Sequence, residues 1–318
     1  MMQIALVGIG AGAAAALLFA SLASGSLLSI LLFYLAPLPI MLAVLGWSHW
    51  TGLIAAAAGT LALALAFGGI FFLAFVAGVA LPAWWLGYLA MLARPAAGAN
   101  GAATLEWYPP GRLVLWAAAL GALVVIAAIP NFGSSAESFR AGLHQTLAHI
   151  LRVETGAVAD GSRNIDRLID FLVTAIPPAA AVLATITNVL NLWLAGRIVK
   201  FSGQLKRPWP QLSAMTFPRP AVAVLAASVA ISFIGGLIGI LAGIVAASLL
   251  MAYGVLGFAV LHAITQGMNA RPFLLGSIYA AVIVFGWPTL ALCLLGLVET
   301  AFDLRARLAR RRGPPAPT

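Results

Sequence analysis

Apolar runs of 20 residues or more recur along this chain, with almost no charge inside them. Ile4 to Ala23 is one such run and Leu27 to Gly46 is the next. At ~1.5 Å of rise per residue, each would cross the ~30 Å hydrocarbon core of a bilayer as a helix. A helix is also the segment that satisfies its own backbone hydrogen bonds in lipid. Composition agrees. Hydrophobic residues make up 63% of the chain, charged residues 8%, and the mean hydropathy is +1.06. A soluble domain carries about 25% charged residues. The sequence therefore predicts an all-α fold, a polytopic transmembrane helical bundle of about eight to nine apolar segments.

The later runs follow the same pattern. Residues His49 to Met91 hold two segments, divided near Gly68 and Gly69, and Leu113 to Ile129 is the fifth. Phe171 to Ala195 is the sixth, residues 220–265 hold two more with a break near Ser232 to Gly236, and Phe273 to Val298 is the last. The polar stretch before the sixth segment is too short to bury a core of its own. We read it as an extramembrane amphipathic insertion over 131–170. Ser134-Ser135-Ala136-Glu137 has capping-box spacing, and Phe139, Leu143, Leu147, Ile150 and Leu151 recur at helical spacing behind it. That describes a helix lying on the membrane or against the bundle. Residues 1–304 read as a single integral membrane domain, and 305–318 as a basic, Pro-rich disordered tail.

The net charge of +9 is gathered into clusters beside apolar segments. Arg197, Lys200, Lys206, Arg207 and Arg219 form one cluster, and Arg305, Arg307, Arg310, Arg311 and Arg312 another. Bases so placed anchor a chain by the positive-inside rule and meet anionic headgroups. Membrane lipid is therefore the expected partner, and nucleic acid is not. The C-terminus is expected in the cytoplasm. The two clusters ask for the same side, yet three apolar segments separate them. The first run lacks a basic leader and reads as a retained span.

Polar side chains inside apolar runs are costly and face a bundle interior or a wet cavity. Asn188 and Asn191 lie on one face of the sixth run, with Thr187 beside them and Pro177-Pro178 upstream. They are the candidate ligand-binding residues, together with His262 of the eighth run. The plainer reading of the amides is interhelical hydrogen bonding, and that of His262 an interfacial histidine. Gly8, Gly12, Ala16 and Ala20 form a small-residue stripe that would suit either a partner membrane subunit or internal packing. Walker, nucleophile-elbow and zinc-helix motifs are absent, as are metal-ligand spacings and paired intramembrane acids. The chain is expected to be no enzyme, with no cofactor and no metal.

Several stretches resemble the YybS-like family of predicted bacterial membrane proteins, a domain of unknown function. They are Ala36-Pro37-Leu38-Pro39, Trp107-Tyr108-Pro109-Pro110-Gly111-Arg112, Lys206-Arg207-Pro208-Trp209-Pro210, and Leu295-Gly296-Leu297-Val298-Glu299 with Phe302-Asp303-Leu304-Arg305. The family usually carries aspartate where Glu299 stands. That family is remotely similar to the substrate-capture (S) subunits of energy-coupling-factor transporters. The resemblance implies a multi-pass protein of the bacterial inner (cytoplasmic) membrane. It implies a transport-type subunit that binds a small molecule or docks on another membrane subunit through the first span. The alternative is a structural scaffold of envelope or lipid machinery with no small-molecule pocket.

Overall fold

The structure, a computed structural model, describes residues 2–97, 103–155 and 162–312. It is almost entirely helical. In chain order the helices are α1 (Met2–Ala20), α2 (Leu27–Tyr34), α3 (Pro37–Gly46), α4 (His49–Phe67), α5 (Gly69–Phe75) and α6 (Leu81–Ala90). After a two-stranded hairpin, β1 (Ala93–Ala97) and β2 (Ala103–Trp107), follow α7 (Pro110–Ala128), α8 (Ala136–Thr155) and α9 (Ser162–Phe201). The last are α10 (Pro220–Ser232), α11 (Gly236–Ile264), α12 (Arg271–Phe285), α13 (Pro288–Phe302) and α14 (Leu304–Arg312). Among the described residues, 7 helical stretches are long and apolar enough to cross a membrane.

The single membrane domain expected over 1–304 divides into two compact units interleaved in sequence. Unit 1 comprises Met1–Ala117, Ile186–Phe217 and Phe258–Tyr279. Unit 2 comprises Ala118–Thr185, Pro218–Gly257 and Ala280–Thr318. Hydropathy reports where a run of chain is apolar. It does not report which run packs on which, so this division was out of its reach.

In unit 1, α1 packs along α4. Gly8 faces Thr51 and Ile54, and Gly12 faces Ala55, Ala58 and Gly59. Both sets advance together, so the two helices run parallel. The approach is close enough that a Cβ on Gly12 would meet the Ala55 carbonyl. Dispersion between closely set backbones stands in here for the hydrophobic effect, which lipid cancels. Ile40, Met41 and Val44 of α3 are buried, as are Leu63 of α4, Phe75 of α5 and Leu86 of α6. Val44 fills the space left by Gly52 and Gly87.

In unit 2, α8 lays Phe139 and Leu143 into a cluster with Ile129, Ile169, Val173 and Ile244. Of the two settings expected for this helix, it takes the packed one. Its cap lies one residue later than the spacing suggested. Ser135 Oγ accepts from the Ser138 N–H at 3.1 Å, and Ser138 Oγ accepts from the Ser135 N–H at 2.9 Å. The pair satisfies two otherwise orphaned donors. The later part of the stretch expected as an insertion over 131–170 is the start of α9 from Ser162, and at 40 residues that helix is about twice as long as the hydrocarbon core is thick.

Three further expectations change. The last run is not one helix. Gly286, at φ 70°, ends α12, and α13 starts at Pro288. A residue with a side chain would be strained at that φ, and the proline supplies a first turn that needs no N–H. At ~1.5 Å per residue, α10, α12 and α13 are each shorter than the ~30 Å hydrocarbon core. Of the described helices after α9, α11 is the one long and apolar enough by itself to cross. The polar loop after α6 forms an antiparallel hairpin with Arg94 opposite Glu106, a cross-strand charge pair. The tail expected to be disordered from 305 is helical as far as Arg312, where leucine, alanine and arginine all favour helix.

Candidate functional site

Pro37 has no N–H to give, so the helical ladder lapses between α2 and α3. Leu35 donates to Leu32, Ala36 to Phe33, and Leu38 to Leu35 instead of to Tyr34. The Tyr34 carbonyl is left without a main-chain donor. Asn191 Nδ2 of α9 takes it at 2.8 Å, and also donates to the Thr187 carbonyl at 2.8 Å. Both elements belong to unit 1. Asn191 is 3% exposed, and its Oδ1 is buried without a hydrogen-bond partner. Asn188, one turn earlier, is also 3% exposed. Thr187 is half-buried and contributes its carbonyl. The candidate site is thus a broken helix, two buried amides and one free acceptor.

Other residues singled out from the sequence lie elsewhere. His262 is half-buried, with Nδ1 2.9 Å from the Phe258 carbonyl and its ring edge-on to Tyr279 at 5.9 Å. Among the described residues, no hydrogen bond or ring contact joins it to the two asparagines. Gly8, Gly12 and Ala16 are buried, and α4 occupies the face on which Gly8 and Gly12 lie. Of the two uses expected for the stripe, Gly8 and Gly12 take internal packing, and Ala20 is half-buried. Glu299 is buried and paired with Arg305 at 2.7 Å.

In the basic cluster around the loop after α9, Arg197, Lys200, Lys206 and Arg219 are exposed and Arg207 is the exception. Arg207 was expected in the headgroups with them, but it is 8% exposed and holds the Ala90 and Tyr108 carbonyls, each at 2.9 Å. Lys206 reaches the Trp47 carbonyl at 3.3 Å. Ala90 and Trp47 end α6 and α3, where unsatisfied carbonyls and the helix dipole favour a cation. Burial lowers the Arg207 guanidinium below its ordinary value. The signal was present in Lys206-Arg207-Pro208-Trp209-Pro210, where two prolines fix the backbone around the cation.

These features define a polytopic α-helical membrane protein with a polar break inside one of its units. A family model matches residues 13–300, and the chain belongs to that family, described as predicted membrane protein (DUF2232). This bears out the resemblance to a YybS-like domain of unknown function. No curated protein and no solved structure matches the chain.

Proposed function

We propose that this chain is a non-enzymatic, transport-type subunit of the bacterial inner (cytoplasmic) membrane. It binds a small polar molecule beside the α2–α3 break through Asn188 and Asn191. One observation carries the reading: Asn191 Oδ1 is buried with no partner next to an interrupted helix. A polar atom left unpaired in an apolar interior costs ~1–3 kcal/mol, and a ligand donor would recover it. Interrupted helices recur at the binding sites of transporters for the same reason. The π-helical turn Val76–Ala80 between α5 and α6 adds a second irregularity to unit 1, and such turns are frequent at functional sites.

The scaffold alternative is favoured by a different observation. Both described hydrogen bonds of Asn191 go to the chain's own carbonyls. Native mass spectrometry on protein purified in mild detergent separates the two readings. The transport reading expects a stoichiometric small molecule that is lost in Asn188→Leu. Lipid alone, with Asn188→Leu fully functional in the cell, would leave the scaffold.

We further propose that both basic clusters and the C-terminus face the cytoplasm. The strap at 202–217 lies over the ends of α3 and α6 in unit 1. Because α1 runs parallel to α4, the start of α1 lies at that same end. Reporter fusions after residues 3, 204 and 312 should all read cytoplasmic. A periplasmic signal at any of the three sinks this topology. A partner subunit would have to use a face other than the α1 stripe.

A further inference from the structure

The hairpin end of unit 1 holds a cleft of about 340 Å³, lined by Arg94, Glu106, Trp107, Tyr108 and Arg112 among others. Two facts make it selective for negative charge. Glu106 is the sole acid that the sequence places in unit 1, and Arg94 already neutralises it at 2.8 Å. Arg112 is exposed and has no acidic partner among the described residues. The cleft therefore carries one uncompensated guanidinium. Buried Arg207 is bonded to the Tyr108 carbonyl, on a residue that lines it.

Its position selects the source of the anion. The cleft lies between the end of α6 and the start of α7, the ends of two stretches long and apolar enough to cross the membrane. Aromatic side chains mark the same level. Trp116 Nε1 donates to the Tyr108 hydroxyl at 3.0 Å, and Trp85 meets Trp116 edge-on at 5.5 Å. Tryptophan and tyrosine gather where headgroups meet hydrocarbon. A guanidinium presents a fork of donors that matches two oxygens of a phosphate.

We propose that this cleft binds the phosphate of an anionic phospholipid, with Arg112 as its principal ligand and Arg94 shared between that phosphate and Glu106. The site is separate from the α2–α3 break, and it stands or falls independently of the transport reading.

The test is native mass spectrometry of the full chain in detergent, titrated with phosphatidylglycerol, phosphatidylcholine or inorganic phosphate. Phosphatidylglycerol should saturate one site at least roughly tenfold more tightly than phosphatidylcholine, and millimolar inorganic phosphate should not displace it. Arg112→Gln should weaken phosphatidylglycerol roughly five- to tenfold, the scale of one cation at a membrane surface. Glu106→Gln should tighten it, because Arg94 is then released toward the lipid. Both side chains are largely exposed, so the thermal midpoint in phosphatidylcholine should hold in both variants. Equal affinity for the two lipids overturns the proposal, as does equal retention of phosphatidylglycerol by wild type and Arg112→Gln. Saturation by inorganic phosphate that phosphatidylglycerol cannot reverse overturns the lipid assignment.

Discussion

Asn191 and Tyr34 stand 157 positions apart, and the side-chain amide of one donates to the main-chain carbonyl of the other at 2.8 Å. The proline that interrupts the second span and the asparagine buried in α9 are therefore one device. Hydrocarbon offers no water to a freed carbonyl, so a break of this kind persists only where protein supplies the donor. The donor comes from a residue whose own acceptor is left over.

Replacing Asn191 with leucine strands the Tyr34 carbonyl. We expect a loss of ~1–3 kcal/mol, the usual cost of a buried polar group without a partner. Thermal unfolding in detergent should show Asn191→Leu well below wild type and Asn188→Leu close to it, since Asn188 makes no comparable bond to the main chain among the described residues. Equal midpoints for the two variants would refute the assignment of Asn191 to the break.

Gly12 and Gly10 sit two residues apart on α1 but face different surroundings. A Cβ at Gly12 meets the Ala55 carbonyl and the Ala58 side chain, whereas nothing lies within 4 Å of one at Gly10. Gly12→Leu should destabilise by ~1–3 kcal/mol or prevent folding, as overpacking does. Gly10→Leu should be tolerated. Detergent-resistant yield and melting temperature measure both, and a damaging Gly10→Leu would show that this face is not free.

Glu299 and Arg305 form an ion pair whose side chains are 7% and 16% exposed. Glu299 also accepts from the Arg305 main-chain N–H at 3.1 Å, across the left-handed Asp303 that ends α13. Removing one member of a buried pair costs ~3–5 kcal/mol, because the other charge stays behind. Arg305→Ala should therefore cost more than Glu299→Gln, which keeps an acceptor for that N–H. Chemical denaturation of the two variants gives the order.

Glu137 lies in the first turn of α8, and its carboxyl is held below the usual 4.5 by its own backbone N–H and by a hydrogen bond from Ser135. A depressed acid adds stability above its unfolded value, and that stability is lost as pH falls through the lower folded value. The first turn of α8 should fray between pH 4.5 and more acid conditions. Hydrogen exchange at residues 136–140 should rise there in wild type, and Glu137→Gln should show no such step.

The sequence by itself determined the membrane class, the positions of the early spans and the amphipathic face of α8. All of these reside in neighbouring residues: run length and helical periodicity. The break at Pro37 inside the second run emerged from the structure. Tertiary structure alone decided what each feature meets. It gave Asn191 to Tyr34, covered the Gly8–Gly12 stripe with α4, and drew Arg207 out of the headgroups onto two helix-end carbonyls. In a chain this uniformly apolar, hydropathy is nearly the same for every helix face. The pairing of faces is set by close approach of small residues and by a few buried hydrogen bonds, and those act between residues far apart along the chain.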